Sequence, residues 1–401
     1  MVSTQRPLEI ALFGATGFTG GLVADYLARQ APADLRWTIA GRNLERLAAV
    51  RQRLAAIEPR WADLPLTVAC VEDPISLQAL AASSKVVIST VGPFLELGEA
   101  LVAACAIAGT DYADITGEPE FVDAMYVRYH EKALHNQARL VHCCGFDAIP
   151  SDLGALFTVR HCPPQARIDL RAVVRLDQAA FSSGTMRSAL GAMARPVAMW
   201  RAARRRHALE RRLESPRQPV RVALGWPGPD GTGGWLVPMP TIDRRIVARS
   251  ARTLGGYGSS LSYRHMLRLA HLWQALGLPL ATAALLLVAQ LGPLRRRLLE
   301  RYPLGEGPSA EQRARSSFAI EFTASCHEAG GKVEQVCCRV SGGDPGYTET
   351  SMMLAESALC LARDALPQRF GQLTPAAALG DALLARLQRA GMRFAVVGPG
   401  S

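Results

Sequence analysis

The heptapeptide Gly14-Ala15-Thr16-Gly17-Phe18-Thr19-Gly20 sets three glycines at a spacing of three, a pattern suited to cradling a phosphate. Where such a turn joins a strand to a helix, the first glycine permits the tight turn and the second lets backbone N–H groups approach a pyrophosphate. The third lets the helix pack on the strand. Alone, this spacing describes any glycine-rich turn, but here the apolar run Ile10–Phe13 precedes it and a helix, Gly21–Gln30, follows. A second strand, Trp37–Ala40, ends in Gly41-Arg42-Asn43. A carboxylate at that point would bind the ribose of NAD, whereas a guanidinium pairs with a 2′-phosphate, so Arg42 makes NADP(H) the expected cofactor. The plainer reading of Arg42 is a solvated surface charge, and Arg46 could share its role.

Further candidates stand at later strand ends. The buried-strand pattern Val86–Val91 runs into Gly92-Pro93-Phe94. Ligands of an open parallel sheet lie at the carboxyl ends of its strands, so Thr90, Val91, Gly92 and Pro93 should border the cofactor. The strand Asp111–Asp114 brings Tyr112 to the same side. After the strand Leu140–Cys143 comes Gly145-Phe146-Asp147-Ala148-Ile149-Pro150-Ser151-Asp152, whose glycine and polar groups suit an active-site loop. Ser151 or Asp152 could equally cap a helix beginning near Leu153.

These positions require a strand–helix alternation through residue 143, with helices over Leu44–Ile57, from Asp73-Pro74 through Leu80, over Leu97–Ala108 and over Phe121–Ala138, and a strand over Leu66–Cys70. The expected architecture is α/β: a doubly wound, Rossmann-type parallel sheet over residues 1–148. A second, mainly antiparallel α+β domain follows over 149–345. There Ile168–Leu176 and Phe318–Ala324 alternate as strands with one buried face, and Glu328-Ala329-Gly330-Gly331 turns a hairpin into Val333–Val340. Two C-terminal helices, Tyr347–Leu366 and Leu373–Arg389, are expected to return to the first domain.

The chain has 401 residues, 49% of them hydrophobic, enough for sizeable cores. Its net charge of +10 is carried by arginine, since Lys85, Lys132 and Lys332 are the only lysines. The sequence shows no zinc-finger, RRM or helix-turn-helix signature, so nucleic acid is not an expected partner. Nine cysteines without a Cys-x-x-Cys motif, and a polar stretch Met1–Glu9 unlike a signal peptide, fit a reducing cytoplasm. No metal site is expected.

Three segments of the second half stand out. Ser182-Ser183-Gly184-Thr185 opens a helix and could either cap it or bind an anion. Arg195–Arg221 holds nine arginines against Glu210 and Glu214, a solvated face or one that meets a phosphate-rich carrier or a membrane. Leu269–Leu294 contains no charged residue, and three readings are open: a buried or acyl-contacting helix, an interfacial membrane helix, or a span.

The chain resembles the saccharopine dehydrogenase-like superfamily, most closely its trans-acting enoyl reductase branch. The residues that carry the likeness are Gly14–Gly20, Ala40-Gly41-Arg42, Val91–Phe94, Asp111–Glu118 and Cys143–Gly154, with weaker matches at Ser183-Gly184-Thr185 and Leu373–Ala376. The resemblance implies an NADPH-dependent enzyme that reduces an α,β-unsaturated acyl or polyketide thioester held in trans on a synthase or carrier protein. Such an enzyme must supply a proton to the α-carbon, and Tyr112, Asp147 and Ser151 are the candidate donors. No Tyr-x-x-x-Lys pair occurs, against short-chain dehydrogenase chemistry, and no lysine lies in the site loops, against a saccharopine-type amine reaction. A lipid-associated NADP-binding protein without turnover is the third reading.

Overall fold

Strand β1 (Leu8–Phe13) is apolar on both faces because helices cover both sides of the sheet it centres. In the computed structural model, which describes residues 6–178, 183–213, 218–300 and 307–398, it lies among five parallel neighbours. These are β2 (Trp37–Gly41), β3 (Leu66–Val68), β4 (Ser84–Ser89), β5 (Asp111–Asp114) and β6 (Arg139–Val141), in the order β6-β5-β4-β1-β2-β3. The switch in strand order falls between β1 and β4, beside the glycine turn.

Strand alternation sends the two faces into two cores. Ala11, Phe13, Ala40, Val87, Tyr112 and Leu140 pack with helices Pro74–Ser83, Glu99–Ala108 and Pro119–His135. Ile10, Leu12, Ile39, Val86, Ile88 and Val141 face the other way, into a larger core that also takes in the second sheet. That sheet contains β7 (Arg167–Asp177), β8 (Val220–Ala223), β9 (Gly228–Pro229), β10 (Trp235–Pro238), β11 (Ser260–Leu269), β12 (Ser317–His327) and β13 (Val333–Gly342). Its pairings are antiparallel except β7–β11 and β8–β11. Ile168, Leu170, Ala172 and Val174 of β7 are buried, while Arg175 on its other face pairs with Glu321 of β12 at 2.8 Å.

Two short strands near the C-terminus depart from the expected pair of helices. β14 (Gly371–Leu373) extends the first sheet beside β6, and β15 (Arg393–Val397) pairs with β13 of the second. Each is too short for periodicity to reveal. The Thr348–Arg363 helix packs on the first sheet, and helix Gly380–Arg389 packs against it. The strand expected at Val86–Val91 is shifted to Ser84–Ser89, and the helix expected from Leu97 is two helices, Phe94–Leu97 and Glu99–Ala108.

The Ile149–Val159 helix joins the cores, with every residue except Phe157 buried. At Gly154 it meets the second sheet so closely that a Cβ would stand 2.5 Å from the Phe322 ring and 2.9 Å from Val340. Gly154→Ala is therefore expected to lower unfolding stability by about 1–3 kcal/mol through overpacking. A denaturation midpoint equal to that of the native chain would show that the sheet yields instead.

Candidate active site

The glycine turn is closed by contact with the end of β4. Gly14 has φ +95°, in the left-handed region open to glycine. A Cβ on Gly20 would lie 2.1 Å from the Gly14 carbonyl oxygen and 2.6 Å from Thr90 Oγ1, so only hydrogen fits. Thr90 donates its amide to the Phe13 carbonyl at 3.0 Å, and its hydroxyl reaches the Phe13 and Gly14 carbonyls at 3.3 Å. The two stretches singled out in the sequence thus form one wall. The Phe18–Gln30 helix starts here, three residues before the expected Gly21. Its N-cap, Gly17, has no side chain to occupy the first N–H groups, which suits a pyrophosphate. Thr16 is exposed, Phe18 and Thr19 are half-buried, and Ala15 is packed into the core.

Arg42 is exposed at the end of β2 and has no hydrogen bond or ion pair with another described residue. Arg46 is exposed one turn on, its amide donating to the Asn43 side chain at 2.8 Å. A guanidinium at this strand end that no hydrogen bond or ion pair engages, with only the more distant charge of Glu72 acting on it, fits the 2′-phosphate of NADP(H). On the opposite flank Val91, Gly92 and Pro93 are half-buried. Buried Glu118 holds the next turn by accepting from the amides of Phe94 (3.0 Å) and Leu95 (2.8 Å) and from Ser188 Oγ (2.8 Å). Of the expected hydroxyl cluster, Ser182 and the side chains of Ser183 and Thr185 lie outside the described residues.

The ends of β5 and β6 are tied by Asp114. Its side chain accepts from the Thr116 amide (3.0 Å) and the Cys143 amide (3.1 Å) and lies 2.7 Å from His142 Nδ1. This clamp holds Cys143 at φ +64° and launches the loop that carries Asp147.

The three proton-donor candidates fall into different surroundings. Tyr112 is fully buried, its ring edge-on to His142 at 5.6 Å, and burial followed by the nearby Asp114 charge raises its phenol well above the ordinary value. Ser151 is also fully buried and donates to Asp243 at 2.7 Å. Neither Ser151 nor Asp152 caps the helix: it starts at Ile149, three and four residues earlier than these caps would require, and Ala148 is its N-cap. Asp152 instead accepts from the Ala376 amide at 2.8 Å, and burial pushes its carboxyl up to about 6.

Asp147 differs from both. It is exposed to solvent in the loop that follows β6, whereas Tyr112 and Ser151 are fully buried. A Cβ on Gly117 would come within 2.5 Å of Asp147 Oδ2, and no described residue donates a hydrogen bond to this carboxylate. Desolvation, and then repulsion from Asp243, push it up to about 7.

Asp243, beginning the Asp243–Leu254 helix, is the residue that sequence inspection missed. It accepts from Thr241 Oγ1 at 2.6 Å as well as from Ser151, and burial raises it to about 6. Buried His265 places Nε2 3.9 Å from Asp243 and Nδ1 3.0 Å from the Tyr263 hydroxyl, and burial lowers its pKa to about 3, so the imidazole is neutral. The alternation of β11 marks His265 as inward-facing, but nothing local to it announces Asp243 as a neighbour.

Comparison with known proteins agrees with this geometry. Residues 10–141 match the family model described as the saccharopine dehydrogenase NADP binding domain, and NADP(H) is the cofactor. A Mycobacterium tuberculosis protein provisionally named a trans-acting enoyl reductase is 38% identical, with 98% of each chain covered. The trans-acting enoyl reductase of Mycobacterium ulcerans is 35% identical over 98% of each chain. Among solved structures, apo saccharopine dehydrogenase (L-Glu forming) from Saccharomyces cerevisiae aligns with a TM-score of 0.57 and 11% identity, covering 98% of this chain and all of that one. The yeast enzyme shares the fold; by the full-length identities, this chain belongs to the trans-acting enoyl reductase family.

Proposed function

We propose that the chain reduces the C=C bond of an α,β-unsaturated acyl or polyketide thioester presented on a carrier protein, with Asp147 as the proton donor. The observation that carries this reading is an open carboxyl raised to about 7 at the same end of the sheet as the glycine turn. Bound NADPH supplies the hydride taken up at the β-carbon. Gly14, Ala15, Thr16, Gly17, Phe18, Thr19 and Gly20 form its pyrophosphate seat, Arg42 meets its 2′-phosphate, and Thr90, Val91, Gly92 and Pro93 flank it.

Reduction leaves negative charge on the α-carbon and thioester oxygen, and a proton must reach the α-carbon. With its carboxyl pushed up to about 7, Asp147 can carry a proton near neutral pH and give it up without a large penalty. Ser151 acts as a positioning residue by holding the Asp243 carboxylate, whose repulsion adds to desolvation in raising Asp147. Tyr112 supports the wall from within the sheet core. No observation favours an amine-dehydrogenase reaction or binding without turnover.

We assign cofactor binding to residues 1–148 and the acyl chain to 149–345, with 346–401 bracing the two. We also propose peripheral attachment of this otherwise cytoplasmic enzyme to an anionic lipid surface. The Leu272–Gln290 helix is apolar throughout, yet only 11% of its 18-residue apolar window is buried; Leu280 and Leu287 are 72% and 69% exposed. The following Gly292–Glu300 helix carries Arg295, Arg296 and Arg297, suited to acidic headgroups.

Four outcomes are expected. The native chain should oxidise NADPH in the presence of crotonyl-pantetheine or a longer enoyl analogue; Asp147→Asn should reduce kcat about 10²–10⁴-fold with NADPH affinity unchanged. Because the acid must be protonated, native kcat should fall about tenfold per pH unit above about 7, and a flat profile there would remove Asp147 from the role. Arg42→Ala should weaken NADPH binding about 10–100-fold by fluorescence titration while NADH binding stays within about twofold, matching the loss of one charge-assisted contact. Vesicles rich in phosphatidylglycerol should carry the protein upward in flotation at low salt, and absence from the floating fraction at low and high salt alike would exclude the lipid surface.

A further inference from the structure

A second charged site lies on the helix that begins with Asp243. Between the Pro196–Leu213 and Asp243–Leu254 helices is a cavity of about 300 Å³ lined by Arg206, Arg244, Arg245, Arg249, Arg252 and Glu210. The buried carboxylate of Asp123 collects three of these guanidinium groups: Arg245 at 3.1 Å, Arg206 at 3.5 Å, and Arg249 in close contact. Glu210 accepts from Arg206 at 2.6 Å and lies 3.8 Å from Arg249. Five guanidinium groups thus meet two carboxylates.

Two of the five, Arg244 and Arg252, make no ion pair among the described residues, although the charges of Asp243 and Glu210 act on them from farther away. Arg252 makes one long hydrogen bond, 3.5 Å, to the Val220 carbonyl. Arg244 has no ion pair, and its Nε is buried without a hydrogen-bond partner. Both are half-buried, where an excess of like charge is costly and an anion relieves it. Buried Arg206 is held by Asp123 and Glu210, so the carboxylates of the cavity are already engaged by other guanidinium groups. Several forked donors turned into one cavity suit the tetrahedral oxygens of a phosphate monoester or diester better than a single carboxylate.

The position of the cavity indicates the source of that phosphate. Arg244 follows Asp243, which contacts Ser151 and repels Asp147, so the cavity and the cleft share the first turn of one helix. A substrate with a thioester at one end and a phosphate at the other would connect them. We propose that this arginine-lined cavity binds the phosphate of a phosphopantetheine arm and so positions its thioester at the Asp147 cleft. The assignment rests on the thioester reading above and adds the group by which the substrate is held.

The test is calorimetric binding to the NADP-loaded full chain with 4′-phosphopantetheine, unphosphorylated pantetheine and inorganic phosphate as separate titrants. The phosphorylated arm should bind at least about tenfold more tightly than pantetheine. Arg244→Gln and Arg252→Gln should abolish that preference while leaving pantetheine and NADPH affinities unchanged; both side chains are half-exposed, and a matching thermal midpoint verifies that the variants fold. Equal affinity for the two pantetheines overturns the proposal, as does arginine-dependent binding of inorganic phosphate without preference for the phosphorylated arm. Failure of the underlying reaction is distinguishable. Arginine-dependent binding of crotonyl-phosphopantetheine without NADPH oxidation supports the cavity and rejects the reductase, whereas reduction of both thioesters with equal KM retains the reductase and rejects the cavity.

Discussion

The arrangement depends on burying two polar residues in the first turn of a helix that has almost no solvent face. Ser151 and Asp152 are fully enclosed within Ile149–Val159, and each group left without a partner there would cost about 1–3 kcal/mol. Ser151 is satisfied by Asp243 from one helix start, and Asp152 accepts from Ala376 at another. These bonds draw the 243–254 and 375–378 helices onto the end of the joining helix, directly behind the loop that carries Asp147. The placement of that loop therefore follows from these two bonds, with Asp152 Oδ1 left buried without a hydrogen-bond partner among the described residues.

The same packing divides the carboxylates into two electrostatic settings. Asp147, Asp152 and Asp243 are crowded together with little cationic compensation, and burial raises all three. Asp123, by contrast, is surrounded by guanidinium groups. The Asp243–Leu254 helix separates the settings, with its first residue among the acids and its arginines facing the cavity. Crowded acids thus lie on one side of this helix and a guanidinium-rich cavity on the other.

Much of the cofactor half was legible because its signals are local. The run Ile10–Phe13, the three glycines, and Arg42 at a strand end each act through near neighbours or through a strand whose burial is written in its composition. Even the contact of Thr90 with Gly14 and Gly20 follows from two adjacent parallel strands ending at the same height. The catalytic environment was not legible in this way. Asp147 stood out as a loop residue, but its raised pKa comes first from desolvation by the surrounding fold and then from Asp243, 96 positions later, and the Ser151–Asp243 bond that decides between an active-site role and a helix cap is equally long-range. Strands β14 and β15 were hidden for a simpler reason: three and five residues, held by existing sheet edges, need no periodic pattern of their own.

The apolar segment shows the limit of composition most plainly. Leu269–Leu294 reads equally well as a core helix or a membrane-facing one, since both are uniformly apolar, and what separates them is the amount of surrounding protein. Here there is little: the helix rests on Ser183–Met193 and on β10 and β11, with Gln290 Nε2 donating to the Met193 carbonyl at 2.8 Å, and most of its leucines face outward. The supporting helix also places Ser188 on Glu118, the carboxylate that holds the Phe94 and Leu95 amides beside the cofactor wall. One helix thus lies between the exposed apolar surface and the turn that Glu118 holds. An acyl chain or lipid settling on that surface would press on the support of that turn.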